Sequence, residues 1–259
     1  MAWGFGPAPL LRSATKEETE VVVSLSDLHV PYHRPELVDS AIRMIRKLKP
    51  HTVILNGDVN DFFQLSRFNL AHEREDELQD EIDTANSIRA RIRKAAPDSR
   101  FIETEGNHDS RIYTYVVKNA KALHSLRALD RHELFDYGKL GIEWFPGAGV
   151  RLRPHFLVKH GTIVRGEAGA TAKAEHLASG LSGISGHTHR LAPYVKEGYD
   201  RRVWWEQGCL CRTDPDYVVG APNWSNGCVV AQLSTSSDAV LVEPVYARGD
   251  SLVYGGKEY

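Results

Sequence analysis

The chain has 259 residues, with 32 basic and 34 acidic side chains and a formal charge of −2, so composition does not shape it as a polycation that coats nucleic acid. Its apolar fraction of 42% and charged fraction of 25% match a folded globular chain and exclude a disordered or low-complexity one. No apolar run approaches the roughly 18 residues of a membrane-spanning helix, and residues 1–11 lack the basic head and apolar stretch of a secretion signal, so the expected location is the cytoplasm.

Residues 1–16 show no periodicity, and residues 1–19 are expected to form an N-terminal arm ahead of a single domain spanning 20–259. Residues 20–26 predict a buried strand, 35–48 a helix with Leu37, Ile42, Ile45 and Leu48 on one face, and 52–56 a second strand, which together make a βαβ unit. A long helix is predicted over 73–96, with Leu78, Ile82, Ile88 and Ile92 inward, followed by a strand over 100–104. Helices near 112–126 and 168–179 and strands near 156–159, 183–185, 203–206, 228–233 and 240–246 complete the pattern. Alternating βα units followed by a strand-rich end imply an α/β layered domain with a mixed sheet, or two sheets packed face to face and flanked by helices. Cys209, Cys211 and Cys228 lack the spacing of zinc knuckles or redox pairs and read as buried reduced thiols.

Five short polar clusters each directly follow a predicted strand. They are Ser26-Asp27-Leu28-His29, Gly57-Asp58-Val59-Asn60-Asp61, Gly106-Asn107-His108-Asp109, His160-Gly161 and Gly186-His187-Thr188-His189. In open α/β sheets ligands bind beyond the carboxyl ends of the strands, so the five clusters should converge in space. Carboxylate, amide and imidazole donors without thiolates suit a divalent cation of the manganese, iron or zinc kind. Asp27, His29, Asp58, Asn107, His160, His187 and His189 are too many ligands for one tetrahedral site with an open position, but the right number for two ions that share a carboxylate.

In order, these clusters resemble the calcineurin-like metallophosphoesterase superfamily, whose pattern is D-x-H, G-D-x-x-D, G-N-H-[DE], a lone H, then G-H-x-H. The resemblance implies a four-layer α/β/β/α sandwich with two mixed β-sheets flanked by helices. It implies one metal held by Asp27, His29 and His189, a second held by Asn107, His160 and His187, and Asp58 bridging the two. The ions would be manganese first, with iron, zinc, nickel or magnesium as alternatives, and a hydroxide between them would attack phosphorus in line with the leaving oxygen. His108 matches the family's outer histidine, which donates a proton to the leaving alkoxide or stabilises its charge, and Asp61 matches the carboxylate that orients it. Asn107 and His108 are expected to touch substrate, and His33, in Pro31-Tyr32-His33, to line the entrance.

Other features read more simply. His51, His72, His124, His132, His155 and His176 read as surface or packing histidines, and the run 89–94, with three arginines and a lysine, as a solvated helix face. Phe62, Phe63, Phe68, Tyr113 and Tyr115 belong either to the core or to a platform for a base or an aromatic leaving group. Serine/threonine phosphatases of the superfamily carry arginines where this chain has Phe62 and Glu105. Losing two guanidinium forks, with a carboxylate in one place, points away from a monoester dianion and toward a phosphodiester. The expected partner is therefore a small diester, a cyclic nucleotide or nucleic acid, and no membrane. The alternatives are a phosphomonoesterase or protein phosphatase and, more remotely, a non-catalytic scaffold of the same fold.

Overall fold

The computed structural model describes residues 6–66, 77–199, 201–214 and 222–259. Period-two burial in three parallel strands explains the layering. In β1 (Thr19–Leu25), β2 (Thr52–Leu55) and β3 (Arg100–Thr104), the side chains of Val23, Val53, Leu55 and Phe101 join the cluster that includes α1 (Pro35–Leu48) and α2 (Leu78–Ala95). Val22, Ile54 and Ile102 join a second cluster with Val158 and Ile184, residues of the other sheet. Each strand therefore feeds two interfaces. Pro35 starts α1 with a φ already suited to a first turn, and Lys49 ends it in the left-handed conformation at φ 46°.

After β3 come α3 (Arg111–Asn119), two short 3-10 turns, the one-turn helices α4 (Arg131–Leu134) and α5 (Tyr137–Leu140), and strand β4 (Ile142–Phe145). The smaller sheet is built from β5 (Val150–Arg153), β6 (Phe156–Lys159), β7 (Ser182–Ser185), β8 (Leu191–Lys196) and β9 (Arg202–Gln207), with α6 (Ala170–Ser179) between β6 and β7. Its order is β5-β6-β7-β9-β8, and β6, β7 and β9 run parallel. The chain then adds β10 (Gly227–Ser234), β11 (Val240–Arg248), β12 (Ser251–Tyr254) and β13 (Lys257–Glu258) to the first sheet, giving the order β13-β12-β11-β10-β1-β2-β3-β4. Trp204 and Leu157 on the outer face of the smaller sheet pack with Ala172 of α6, which completes an α/β/β/α sandwich.

Two expectations need correction. The helix expected over 112–126 stops at Asn119 and continues as 3-10 turns, because residues 121–128 are all exposed and give a longer helix no apolar face to bury. Arg89 is not on a solvated face. It is fully buried and donates from Nε and Nη2 to the Glu103 carboxylate at 2.8 and 2.7 Å, while Arg91 and Lys94 of the same run are exposed. Strand β8 carries Pro193, which a sheet tolerates here because β8 is an edge strand. Within the expected arm, Pro9 to Leu11 lie along β5: Leu11 N–H donates to Arg151 O at 2.9 Å, and Arg151 N–H to Pro9 O at 2.8 Å. No helix among the described residues is long and apolar enough to cross a membrane.

Candidate metal centre

The carboxyl ends of β1, β2, β3, β6 and β7 bring the five polar clusters to one place. The backbone there is unusual: of eight described non-glycine residues with positive φ, Asp27, His29, Asp58, His187 and His189 are five. Such conformations cost on the order of 1–3 kcal/mol each and persist only where the surroundings enforce them. The turns are also crowded. A Cβ at Gly106 would lie 2.1 Å from Asp58 Oδ1, and one at Gly57, already at φ +82°, 2.6 Å from His160 Nδ1.

Four groups of donor atoms lie close enough to share an ion among the described residues, and two of them consist wholly of expected ligands, the others being His29 with Asp61 and His108, and His189 with Cys209 and Cys211. Asp27, His29 and His189 form the first: Asp27 Oδ1 is 3.1 Å from His189 Nε2 and 3.7 Å from His29 Nε2, and the two Nε2 atoms are 3.0 Å apart. Asp58, His160 and His187 form the second, with His160 Nε2 3.0 Å from Asp58 Oδ2. Asp58 Oδ2 also lies 3.7 Å from His29 Nε2, so it reaches both groups. Asn107 is exposed between Gly106 and His108, whose backbone N–H donates to Asp58 Oδ1 at 2.8 Å.

Hydrogen bonds fix the imidazole tautomers, and the tautomers create a conflict. His160 Nδ1 faces the Asn56 carbonyl at 2.8 Å, and His29 Nδ1 faces Asp61 Oδ2 at 2.8 Å, so both Nδ1 atoms carry hydrogen and, when the rings are neutral, both Nε2 atoms present lone pairs. One lone pair meets another imidazole nitrogen and the other meets a carboxylate oxygen. His160 Nε2 is buried without a hydrogen-bond partner. Only a proton or a cation between these atoms relieves the repulsion. With protons alone, burial pulls His160 down, but the Asp58 and Asp27 carboxylates overcome it and push it up to about 9. His29 is raised well above its ordinary value against the same burial, by Asp27, Asp61 and Asp58. Burial would raise Asp27, Asp58 and Asp61, yet the histidines around them hold all three below the usual carboxylate range. His187 is pushed down to about 4, and His189 is lowered, mainly by burial. These oxygen and imidazole donors fit divalent cations of the borderline class.

A supporting layer escaped the motif reading. Asp109, the last residue of the G-N-H-D cluster, accepts from the backbone N–H groups of Asp58 at 2.7 Å, Asn60 at 3.0 Å and Gly106 at 3.1 Å. Burial and the Asp58 and Glu103 carboxylates push it up to about 7, against the pull of Asn60 N–H and Arg89. Glu81 of α2 takes the Phe62 N–H at 2.9 Å, and burial raises its pKa to about 8. On the other side, Glu206 Oε1 accepts from Gly169 N–H at 2.8 Å and Ala172 N–H at 3.2 Å, capping α6, while its Oε2 accepts from the Thr188 hydroxyl at 2.6 Å between the two histidines of the last cluster. Cys211 Sγ is 3.8 Å from His189 Nδ1, so a thiol sits beside the cluster after all; all three cysteines are buried and free.

Asp61 contacts both inner and outer histidines, with Oδ2 2.8 Å from His29 Nδ1 and 3.2 Å from His108 Nδ1. His108 Nε2 lies 4.0 Å from Asp58 Oδ2. Arg111, at the start of α3, donates from Nη1 to Asp61 O at 2.9 Å and approaches His108 Nε2 with Nη2 at 3.0 Å. Because guanidinium only donates, His108 Nε2 accepts, and its Nδ1 carries the hydrogen given to Asp61 O at 3.0 Å. Glu105 is not a free repulsive charge, since Arg131 Nη2 pairs with it at 2.7 Å. Phe62 is fully buried against Phe135, and Tyr113 also packs there, which makes them core; Tyr115 is exposed. His33 pairs through its backbone with Cys211, and its pKa is lowered, chiefly by burial. Phe68 and His72 lie outside the described residues.

The model of the calcineurin-like phosphoesterase family matches residues 21–241. The Gene 54 protein of Mycobacterium phage D29 is 29% identical over 225 residues, 80% of this chain and 86% of that protein. Its counterpart in Mycobacterium phage L5 is 27% identical over 220 residues, with the same coverage of 80% and 86%. Among solved structures, Vacuolar Protein Sorting 29 from Cryptosporidium parvum aligns with a TM-score of 0.48 at 14% identity, covering 94% of this chain and 99% of that one. A dimetal phosphatase from Danio rerio aligns with a TM-score of 0.47 at 11% identity, covering 88% of this chain and 96% of its own.

Proposed function

Since the chain belongs to the calcineurin-like phosphoesterase family, we propose that it is a two-metal hydrolase of phosphodiesters, with residues 20–259 acting as one catalytic domain. The observation that carries this reading is the convergence of Asp27, His29 and His189 and of Asp58, His160 and His187 as two groups of ligand atoms, with His29 Nε2 to His189 Nε2 and His160 Nε2 to Asp58 Oδ2 each 3.0 Å. A cation accounts for both. In this reading Asp27, His29 and His189 hold one ion, Asn107, His160 and His187 hold the other, and Asp58 serves both. Manganese is the ion we assign first. Bound there, two divalent cations supply charge neutralisation of the phosphoryl oxygens and a water of lowered pKa.

The chain's own groups do the rest. Asp61 fixes the ring of His29 by accepting from its Nδ1, and it fixes His108 through the same carboxylate and its backbone carbonyl. His108 Nε2 thereby faces the centre, and in the imidazolium form, with hydrogen on Nε2 as well as on the Nδ1 held by Asp61, it is the atom that would give a proton to the departing oxygen. The exposed amide of Asn107 is available to a phosphoryl oxygen. Preference for diesters is supported by what stands in the two clamp positions: Phe62 is buried in the core, and Glu105 is tied to Arg131. Neither grips a dianion.

The test is a substrate panel with added manganese and a chelator control, comparing bis-p-nitrophenyl phosphate with p-nitrophenyl phosphate, cyclic nucleotides and single-stranded oligonucleotides. Chelator-sensitive hydrolysis with higher kcat/KM on the diester is expected. Faster cleavage of the monoester would favour a phosphomonoesterase, and absence of both bound metal and hydrolysis would favour a scaffold.

A further inference from the structure

We infer that Arg111 is the anion-gripping, specificity-determining residue of this site, placed to take a non-bridging oxygen of the phosphodiester. This rests on the reading proposed above and deepens it. The two superfamily arginines are absent, yet the centre is not without a guanidinium. Arg111 reaches it from the start of α3, three residues after His108, with its side chain 22% exposed at the mouth of the centre. One edge is anchored: Nη1 donates to Asp61 O at 2.9 Å and lies 3.5 Å from Asp61 Oδ1. The Asp61 carboxylate is its ion-pair partner along this edge and also accepts from His29 and His108, so Asp61 holds Nη1 in place and leaves Nη2 turned toward His108.

The other edge is held only by the Nη2 contact to His108 Nε2 at 3.0 Å, a neutral acceptor. Among the described residues, its remaining N–H groups have no partner. A phosphoryl oxygen carrying negative charge is a better acceptor than an imidazole lone pair, since charge-assisted hydrogen bonds are about twice as strong as neutral ones. An incoming phosphoester therefore takes over the place that His108 Nε2 holds, and the anchor on Asp61 O keeps the guanidinium from following its own entropy into solvent. One guanidinium answers one negative charge, which suits a diester monoanion. The pair of clamps that a dianion calls for is not assembled here.

The experiment uses the full chain loaded with manganese and three variants, Arg111→Gln, Arg111→Lys and the double variant His108→Ala/Arg111→Gln. Inorganic phosphate binding is measured by calorimetry, and KM and kcat are measured on bis-p-nitrophenyl phosphate. Arg111→Gln should weaken phosphate binding and raise KM by about 10–100-fold, the loss of one charge-assisted bond. Bound manganese and the melting temperature should stay near wild type, and Arg111→Lys should recover part of the loss. Phosphate binding should also weaken when Arg111→Gln is added to His108→Ala. Unchanged phosphate affinity in Arg111→Gln, or no further loss in the double variant, would overturn the inference by reducing Arg111 to a prop for His108. Failure of the wild type to hydrolyse any ester would instead defeat the functional reading, and the phosphate titration would still decide the role of Arg111.

Discussion

The carboxylates that follow β1, β2 and β3 and the imidazoles that follow β6 and β7 reach the same centre with unequal support behind them. On the carboxylate side, Asp109 gathers three backbone N–H groups, Glu81 holds the turn after Asp61, and Arg89 bridges Asn60 to Glu103. On the imidazole side, the loop carrying His187 and His189 is tied down by the Glu206 to Thr188 contact and by His187 N–H, which donates to Asp27 at 3.1 Å. The larger sheet thus supplies a stiff frame, and the smaller sheet brings histidines to it. Buried carboxylates cannot be left to drift, because each one without a partner costs several kcal/mol; a neutral imidazole tolerates looser support.

Removing the residue that both halves share gives the largest effect. Asp58→Asn should lose tight manganese binding and all measurable metal-dependent turnover, and near wild-type metal content by elemental analysis would contradict its place in the centre. Next comes His108→Ala, which should keep its manganese and slow an ester with a poor leaving group by roughly 10²–10⁴-fold. An unchanged rate on that ester would end its role in proton transfer.

Two outer carboxylates then test the asymmetry itself. Asp109→Asn and Glu206→Gln should each weaken manganese binding within the 10–100-fold span typical of such supports, with Asp109→Asn the worse. An amide in its place can no longer accept at both ends, so at least one N–H of the frame loses its partner. Equal losses, read from calorimetric manganese titrations, would mean that the two halves are held alike.

The smallest effect concerns stability and pH. Glu81 has a folded pKa of about 8 against an ordinary 4.5, because burial disfavours its charge. Between these values the folded chain keeps a proton that the unfolded chain has lost, so this group's contribution is present at low pH and declines as pH rises toward 8. Glu81→Gln keeps an acceptor for the Phe62 N–H and removes the charge. Its melting temperature should fall less than that of the wild type between pH 6 and 8.5, and parallel curves would show that Glu81 is ionised throughout.

How much was legible in the sequence follows from where the information lies. The five clusters are contiguous and sit at strand ends, so alternation and the residues after each strand were enough to point to the loops that carry Asp27, Asp58, His160 and His187. The supporting layer is dispersed. Glu81 and Arg89 adjoin Ile82 and Ile88, positions recognised as inward, but a charged residue beside an apolar stripe reads as its solvent-facing border until its partner is known. Here the partners of Arg89 are Asn60 and Glu103, and those of Glu81 are Phe62 and Asn60, which no local spacing reveals. Arg111 lies three residues from His108, yet the chosen patterns end at Asp109. Strands β4 and β5 are as short as β2, but their charged residues interrupt the apolar ones (Ile-Glu-Trp-Phe and Val-Arg-Leu-Arg), so they lack the continuous run, Thr-Val-Ile-Leu, that reveals β2.

The account stands or falls on cations held by these two groups of ligands, and an anomalous-scattering map from crystals grown with manganese tests this most directly. Two peaks are expected, one among Asp27, His29 and His189 and the other among Asn107, His160 and His187, with Asp58 touching both. A map with no peak at these residues, or with Asp58 turned away from the density, would contradict it.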